Sequence, residues 1–131
     1  MRILIIDPDT RFAKKAAKYL ESKAHLVVNL PSAENALRHA HQWQPDLVIL
    51  AAEHTEDTNL LEALGSLPRR VAVIISEHMD RYDRAWRAWQ RGGDELLMKP
   101  VFHARELTEA ISAAMENAAA SERGRHVAAS A

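Results

Sequence analysis

Apolar positions follow two alternating patterns along the chain. Apolar runs, most of them continuous, occupy 3–6, 26–30, 47–52, 71–75 and 95–98, and after each comes a segment whose apolar residues return every three or four positions. A short continuous run suits a strand buried on both faces; the 3.6-residue period suits a helix with one inward stripe. The first helical segment carries Phe12, Ala16, Tyr19 and Leu20, with Asp9 or Thr10 placed to cap it. The second follows Pro31-Ser32 and carries Ala33, Ala36, Leu37 and Ala40. The third opens near Asp57 and groups Leu60, Leu61, Leu64 and Leu67. The fourth spans about 80–91 and stops at Gly92-Gly93. The fifth runs over about 103–120 with Leu107, Ile111, Ala114 and Met115 inward. Past 120 the period is lost, so 1–120 reads as one domain and 121–131 as a flexible tail or the start of a linker.

Strand and helix repeated five times predict the α/β class: a doubly wound, open parallel sheet with right-handed crossovers. Such sheets carry their chemistry at the carboxyl ends of the strands. The residues to weigh are therefore Asp7, Pro8 and Asp9 after the first strand, and Ala51, Ala52 and Glu53 after the third. Ser76 closes the fourth and Lys99-Pro100 the fifth.

Composition narrows the function classes. The 131 residues hold 17 basic and 18 acidic side chains, a net charge of −1, which gives no electrostatic reason to expect nucleic acid or an anionic membrane as partner. The absence of cysteine removes disulfides, thiolate metal sites and thiol nucleophiles together. The first apolar run ends in an acid and is far too short for a signal or membrane segment, so a soluble cytoplasmic protein is expected. None of the four glycines follows the first strand, which argues against a glycine-built phosphate cradle, and there is no G-x-S-x-G elbow. His39 and His41, two apart on a helix, point away from one another. His54 beside Glu53 reads as a solvated loop.

The stretches ILIID at 3–7, PDLVILA at 45–51, VAVIIS at 71–76 and GGDELLMKP at 92–100 resemble the receiver domains of bacterial response regulators. The resemblance covers roughly residues 2–118. It implies a flavodoxin-like (βα)5 fold with strand order 2-1-3-4-5. It also makes Asp7 the first acid of a Mg²⁺-holding pair, Ser76 the hydroxyl of strand four and Lys99 the lysine before a cis proline. The departures are as informative. Pro8 stands where the second acid belongs, Asp9 is one residue late, and Ala51 occupies the phosphoacceptor position. The following loop is shortened to AEHTEDTN, and Leu96 replaces the aromatic switch residue.

Charge counting then leaves Asp7 and Lys99 to balance each other directly, with no surplus to attract a divalent ion and no oxygen nucleophile at 51 for phosphoryl transfer. A direct Asp7–Lys99 contact follows. No enzyme activity, metal or cofactor is expected, Mg²⁺ included. The alternative is a competent phosphorelay receiver phosphorylated at a displaced acid, Asp9 or Glu53. A third reading is a small-molecule sensor using the vacated pocket.

The fourth helical segment, DRYDRAWRAWQRG, sets Tyr82, Trp86 and Trp89 on one face, with Ala85 and Ala88 forming a separate small-residue stripe. By the resemblance Ala88 faces inward, and the two tryptophans fall on the patch shared by helix four, strand five and helix five, through which receivers dimerise and bind partners. Tryptophan, tyrosine and arginine are the usual anchors of interfaces. The expectation is a phosphorylation-independent interaction module in signal transduction, docking a protein partner or a second copy through that face. Asp80 and Asp83, four residues before Arg84 and Arg87, are expected to pair with them.

Overall fold

In the computed structural model, residues 1–56 and 58–130 are described, those beyond Ser121 by backbone alone. Strands β1 (Arg2–Ile6), β2 (Leu26–Leu30), β3 (Leu47–Ala51), β4 (Ala72–His78) and β5 (Glu95–Lys99) alternate with helices α1 (Thr10–Ser22), α2 (Ala36–Trp43), α3 (Leu60–Gly65), α4 (Tyr82–Gly92) and α5 (Ala104–Ser130). All pairings are parallel and the sheet order is β2-β1-β3-β4-β5, the doubly wound flavodoxin-like arrangement.

Because side chains alternate along a strand, each apolar run feeds two cores. Ile3, Ile5, Leu47, Ile49 and Ile74 pack with Leu20 of α1 and Leu107 of α5. Leu4, Ile6, Val48, Leu50 and Ile75 pack on the other face with Ala40 of α2, Leu61 and Leu64 of α3, and Ala88 of α4. Each such Leu or Ile contributes roughly 1.5–3 kcal/mol by leaving water. β2 is the exception. It is an edge strand, Leu26 and Asn29 are exposed, and its continuous run is only half covered.

Asp9 caps α1, accepting a hydrogen bond from the Phe12 amide at 3.1 Å. α2 begins at Ala36, later than the sequence suggests, because Asn35 takes a left-handed conformation (φ 61°) at its start. Leu37, expected inward, is exposed. Asp57, where the third helix was expected to open, lies outside the described residues, and α3 starts at Leu60. β4 runs three residues past the predicted 71–75. The polar Ser76, Glu77 and His78 interrupt the apolar pattern, yet β5 still pairs with them as far as His78–Lys99. α5 continues past 120, where its apolar stripe ends, through Ser130. The expected tail or linker start at 121–131 falls on residues whose side chains, beyond Ser121, lie outside the described set.

α4 rides close to the sheet for a reason visible in the sequence. Gly93 has no room for a Cβ, which would stand 2.6 Å from Ile75 Cγ1, and Gly92 leaves the helix at φ +150°, a backbone that side chains disfavour. Ala85 and Ala88 are fully buried beneath the helix.

Candidate functional site

Period-two alternation puts Asp7, Ala51, Ser76 and Lys99 on the face of the sheet that α1 and α5 cover. Each continues the parity of Ile5, Ile49, Ile74 and Leu97. Ala51 pairs directly with Ser76, and Asp7 lies one step beyond the Ile6–Leu50 pair.

The Asp7–Lys99 contact expected from the charge balance is present. Lys99 Nζ donates to Asp7 Oδ2 at 2.9 Å across 92 residues of sequence, and Ser76 Oγ donates to the same oxygen at 3.0 Å. Asp7 Oδ1 accepts from the Asp9 amide at 2.9 Å, so both carboxylate oxygens are engaged. Asp7, Ser76 and Lys99 are all buried. Phe12 closes the site from the α1 side, its ring centroid 4.8 Å from Lys99 Nζ. The Lys99–Pro100 peptide is cis, as the resemblance implies. Pro8, exposed, carries no donor or carboxylate to the site, and Ala51 presents only a buried methyl group.

Asp9, a residue too late to be the second acid, still reaches the rim. Its Oδ2 lies 3.5 Å from Lys99 Nζ and 3.7 Å from His78 Nε2. Burial pushes the Asp9 carboxyl up, but the Phe12 amide, Lys99 and His78 outweigh it and hold it below its ordinary value. Glu53 sits exposed in a 3₁₀ turn, Ala52–Thr55, and His54 beside it is partly buried with Nε2 unpartnered. Among the described residues no group of three His, Asp or Glu side chains is arranged to hold a metal ion.

Glu77 escaped the sequence reading. It is buried on the opposite face of β4, where Arg84 of α4 donates to it. This corrects the expected Asp80–Arg84 pair: Asp80 lies in the 3₁₀ turn Met79–Arg81 before α4, and the buried Glu77 takes the arginine instead. Burial pushes the Glu77 carboxyl up, but Arg84, the His78 amide and the charge of Lys99 hold it below its ordinary value. Arg87 pairs with Asp83 at 3.2 Å, as the spacing predicts, and also with Glu56 at 2.8 Å. Arg91 holds Glu62 of α3 at 2.9 Å and donates to the carbonyls of Thr55 and Thr58. Three arginines one turn apart thus tie α4 to β4, α3 and the loop after β3. A charged residue in the apolar-run register at 77 was the available signal.

Tyr82, Trp86 and Trp89 are 50%, 42% and 39% exposed, and the two indoles stack with centroids 5.1 Å apart. At 3.6 residues per turn their stripe stands roughly 100° around the helix from Ala85 and Ala88. The aromatics therefore flank the buried face rather than enter it, on the side away from Arg84, Arg87 and Arg91. Leu96 is partly buried and packs into the α2–α4 core.

No protein-family model matches the sequence, and no curated protein sequence does either. Solved structures do match. A response regulator receiver domain protein from Clostridium thermocellum is 27% identical at a TM-score of 0.73, over 88% of this chain and 94% of that one. The signal receiver domain of a response regulator from Bermanella marisrubri is 21% identical at 0.67, over 85% and 94%. NtrX from Brucella abortus is 20% identical at 0.78, over 96% of this chain but only 29% of its own length. The fold is that of response-regulator receiver domains. Among the described residues no helix is long and apolar enough to cross a membrane.

Proposed function

We propose that this chain is a receiver-like module of two-component signalling that works by docking a protein partner, or a second copy of itself, without accepting phosphate. The observation that carries the reading is the methyl group of Ala51 beside Ser76 and the closed Asp7–Lys99 pair. Phosphoryl transfer needs an oxygen nucleophile and neutralisation of the moving group. Position 51 offers no nucleophile, and the lysine that would neutralise is spent on Asp7.

The donors do not suit Mg²⁺ either. This ion demands octahedral oxygen, and of the three family positions only Asp7 keeps a carboxylate, both of whose oxygens already accept hydrogen bonds. The docking half of the reading rests on Trp86 and Trp89, a stacked aromatic pair left in water on a helix otherwise anchored on two sides. With α4 tied by Arg84, Arg87 and Arg91, the surface is presented in one arrangement rather than switched. The partner surface is the α4–β5–α5 face; nucleic acid and membrane are not its targets, and the setting is the cytoplasm.

The test has two arms. Incubation with acetyl phosphate and Mg²⁺ should leave the intact mass unchanged. A base-labile gain of about 80 Da on Asp9 or Glu53 would instead establish the displaced-acid receiver. Replacing Trp86 and Trp89 by alanine should abolish self-association or partner capture with the fold intact; global unfolding of that variant would return the indoles to a packing role.

A further inference from the structure

A cleft opens beside this pocket, away from α4, and shares Asp9, His78 and Lys99 with its rim. It runs between α1 and the segment joining β5 to α5 with a volume of about 380 Å³, within the range of small-ligand sites. Its floor is apolar, built by Phe12, Val101 and the buried Leu107, and Phe102 stands at its edge with 76% of its surface in water. An aromatic ring so exposed is unfavourable in an isolated domain and favourable against a flat partner.

The rim is basic. Arg11 and Lys15, four residues apart on α1, lie along one side and His103 on the other. Two like charges at this spacing repel. Among the described residues Arg11 and Lys15, like Arg2 and Arg38, form no ion pair, whereas Arg69, Arg70, Arg84, Arg87 and Arg91 each find a carboxylate. Asp9 is the cleft's only carboxylate, and it is already engaged by the Phe12 amide, Lys99 and His78. The cleft thus joins a flat apolar wall to uncompensated positive charge.

We propose that it binds a small anion carrying a planar aromatic ring, of which nucleoside phosphates are the type. The ring lies against Phe102 and Val101, and the phosphate meets Arg11 and Lys15. Lys99 lines the inner end of the cleft but is held by Asp7 at 2.9 Å, so binding needs no phosphotransfer.

Calorimetric titration of the whole chain with ADP, adenosine and pyrophosphate tests it, with thermal unfolding of every variant as a check on folding. ADP should bind saturably. Adenosine, which lacks the charge, and pyrophosphate, which lacks the ring, should each bind at least about tenfold more weakly. Arg11→Glu with Lys15→Glu should weaken ADP by at least about tenfold and Phe102→Ala by several-fold, and raised salt should weaken it further. Trp86→Ala with Trp89→Ala should leave the ADP affinity unchanged. Absence of saturable ADP binding, binding that survives the charge reversal, or pyrophosphate binding as tightly as ADP would overturn the proposal. Loss of binding in the tryptophan variant would overturn it too, by moving the ligand to α4. None of these outcomes bears on the docking role proposed for α4.

Discussion

The strand-end pocket and the outer flank of α4 treat their costly groups in opposite ways. In the pocket every charge is answered from within: Asp7 by Lys99, Ser76 and the Asp9 amide, and Lys99 by Asp7, Asp9 and the Phe12 ring. On α4 the arginine side is answered as completely, but Tyr82, Trp86 and Trp89 stay in water. A region whose interactions close on themselves has little left to offer a ligand. A region that holds large apolar area in place and leaves it uncovered is suited to burying that area against another surface. The difference separates what stabilises this domain from what it presents.

Breaking the closed region should have the largest effect. Lys99→Ala strands a buried carboxylate and should cost about 3–5 kcal/mol in urea unfolding, whereas Asp7→Ala with Lys99→Met, which removes both charges, should cost much less. If the double variant is as unstable as the single one, the pair is not the self-contained unit described. Next comes the seat of α4. Gly93→Ala would press a methyl into Ile75 and should cost about 1–3 kcal/mol. It should also blunt any association that depends on the tryptophans.

Removing both indoles loses their stacking, about 0.5–1.5 kcal/mol, and the contacts of their covered parts, and should cost no more than Gly93→Ala. A larger loss would mean the flank is core.

The smallest effect is one of pH. The carboxyls of Asp9 and Glu77 lie below their ordinary values of 3.8 and 4.5. Their stabilisation is full above those values and is lost as pH falls through the lower, folded ones. Stability should therefore decline below about pH 4.5. The decline should be shallower in Glu77→Gln, as acid titration followed by circular dichroism would show.

Much of this was legible in the chain, and for local reasons. Period-two and period-3.6 patterns are written in neighbouring residues, so Ile3, Leu47 and Ile74 announce strands and Leu60, Leu61 and Leu64 a helix without reference to the rest. The strand ends of β1 and β3 followed, and with them the candidates Asp7 and Ala51. Where polar residues continued a strand, as at Ser76, Glu77 and His78, the apolar pattern fell silent while the backbone pairing went on. Leu37 misled because its apolar side chain keeps a helical spacing, yet within α2 it stands roughly 100° around from Ala36, outside the buried stripe of Ala36 and Ala40.

By itself the sequence determined the order of elements, the two-sided burial of the inner strands, the kinds of residue at their carboxyl ends and the methyl group at 51. These depend on residue type and spacing, which are properties of the chain. Only the tertiary structure decided that Arg84 answers Glu77 rather than Asp80, that Arg91 reaches across to α3, and that the indoles flank the core instead of filling it. Those outcomes depend on how close α4 sits to β4 and which carboxylates that brings within reach. Distances between segments far apart in the chain exist only once the sheet has set them.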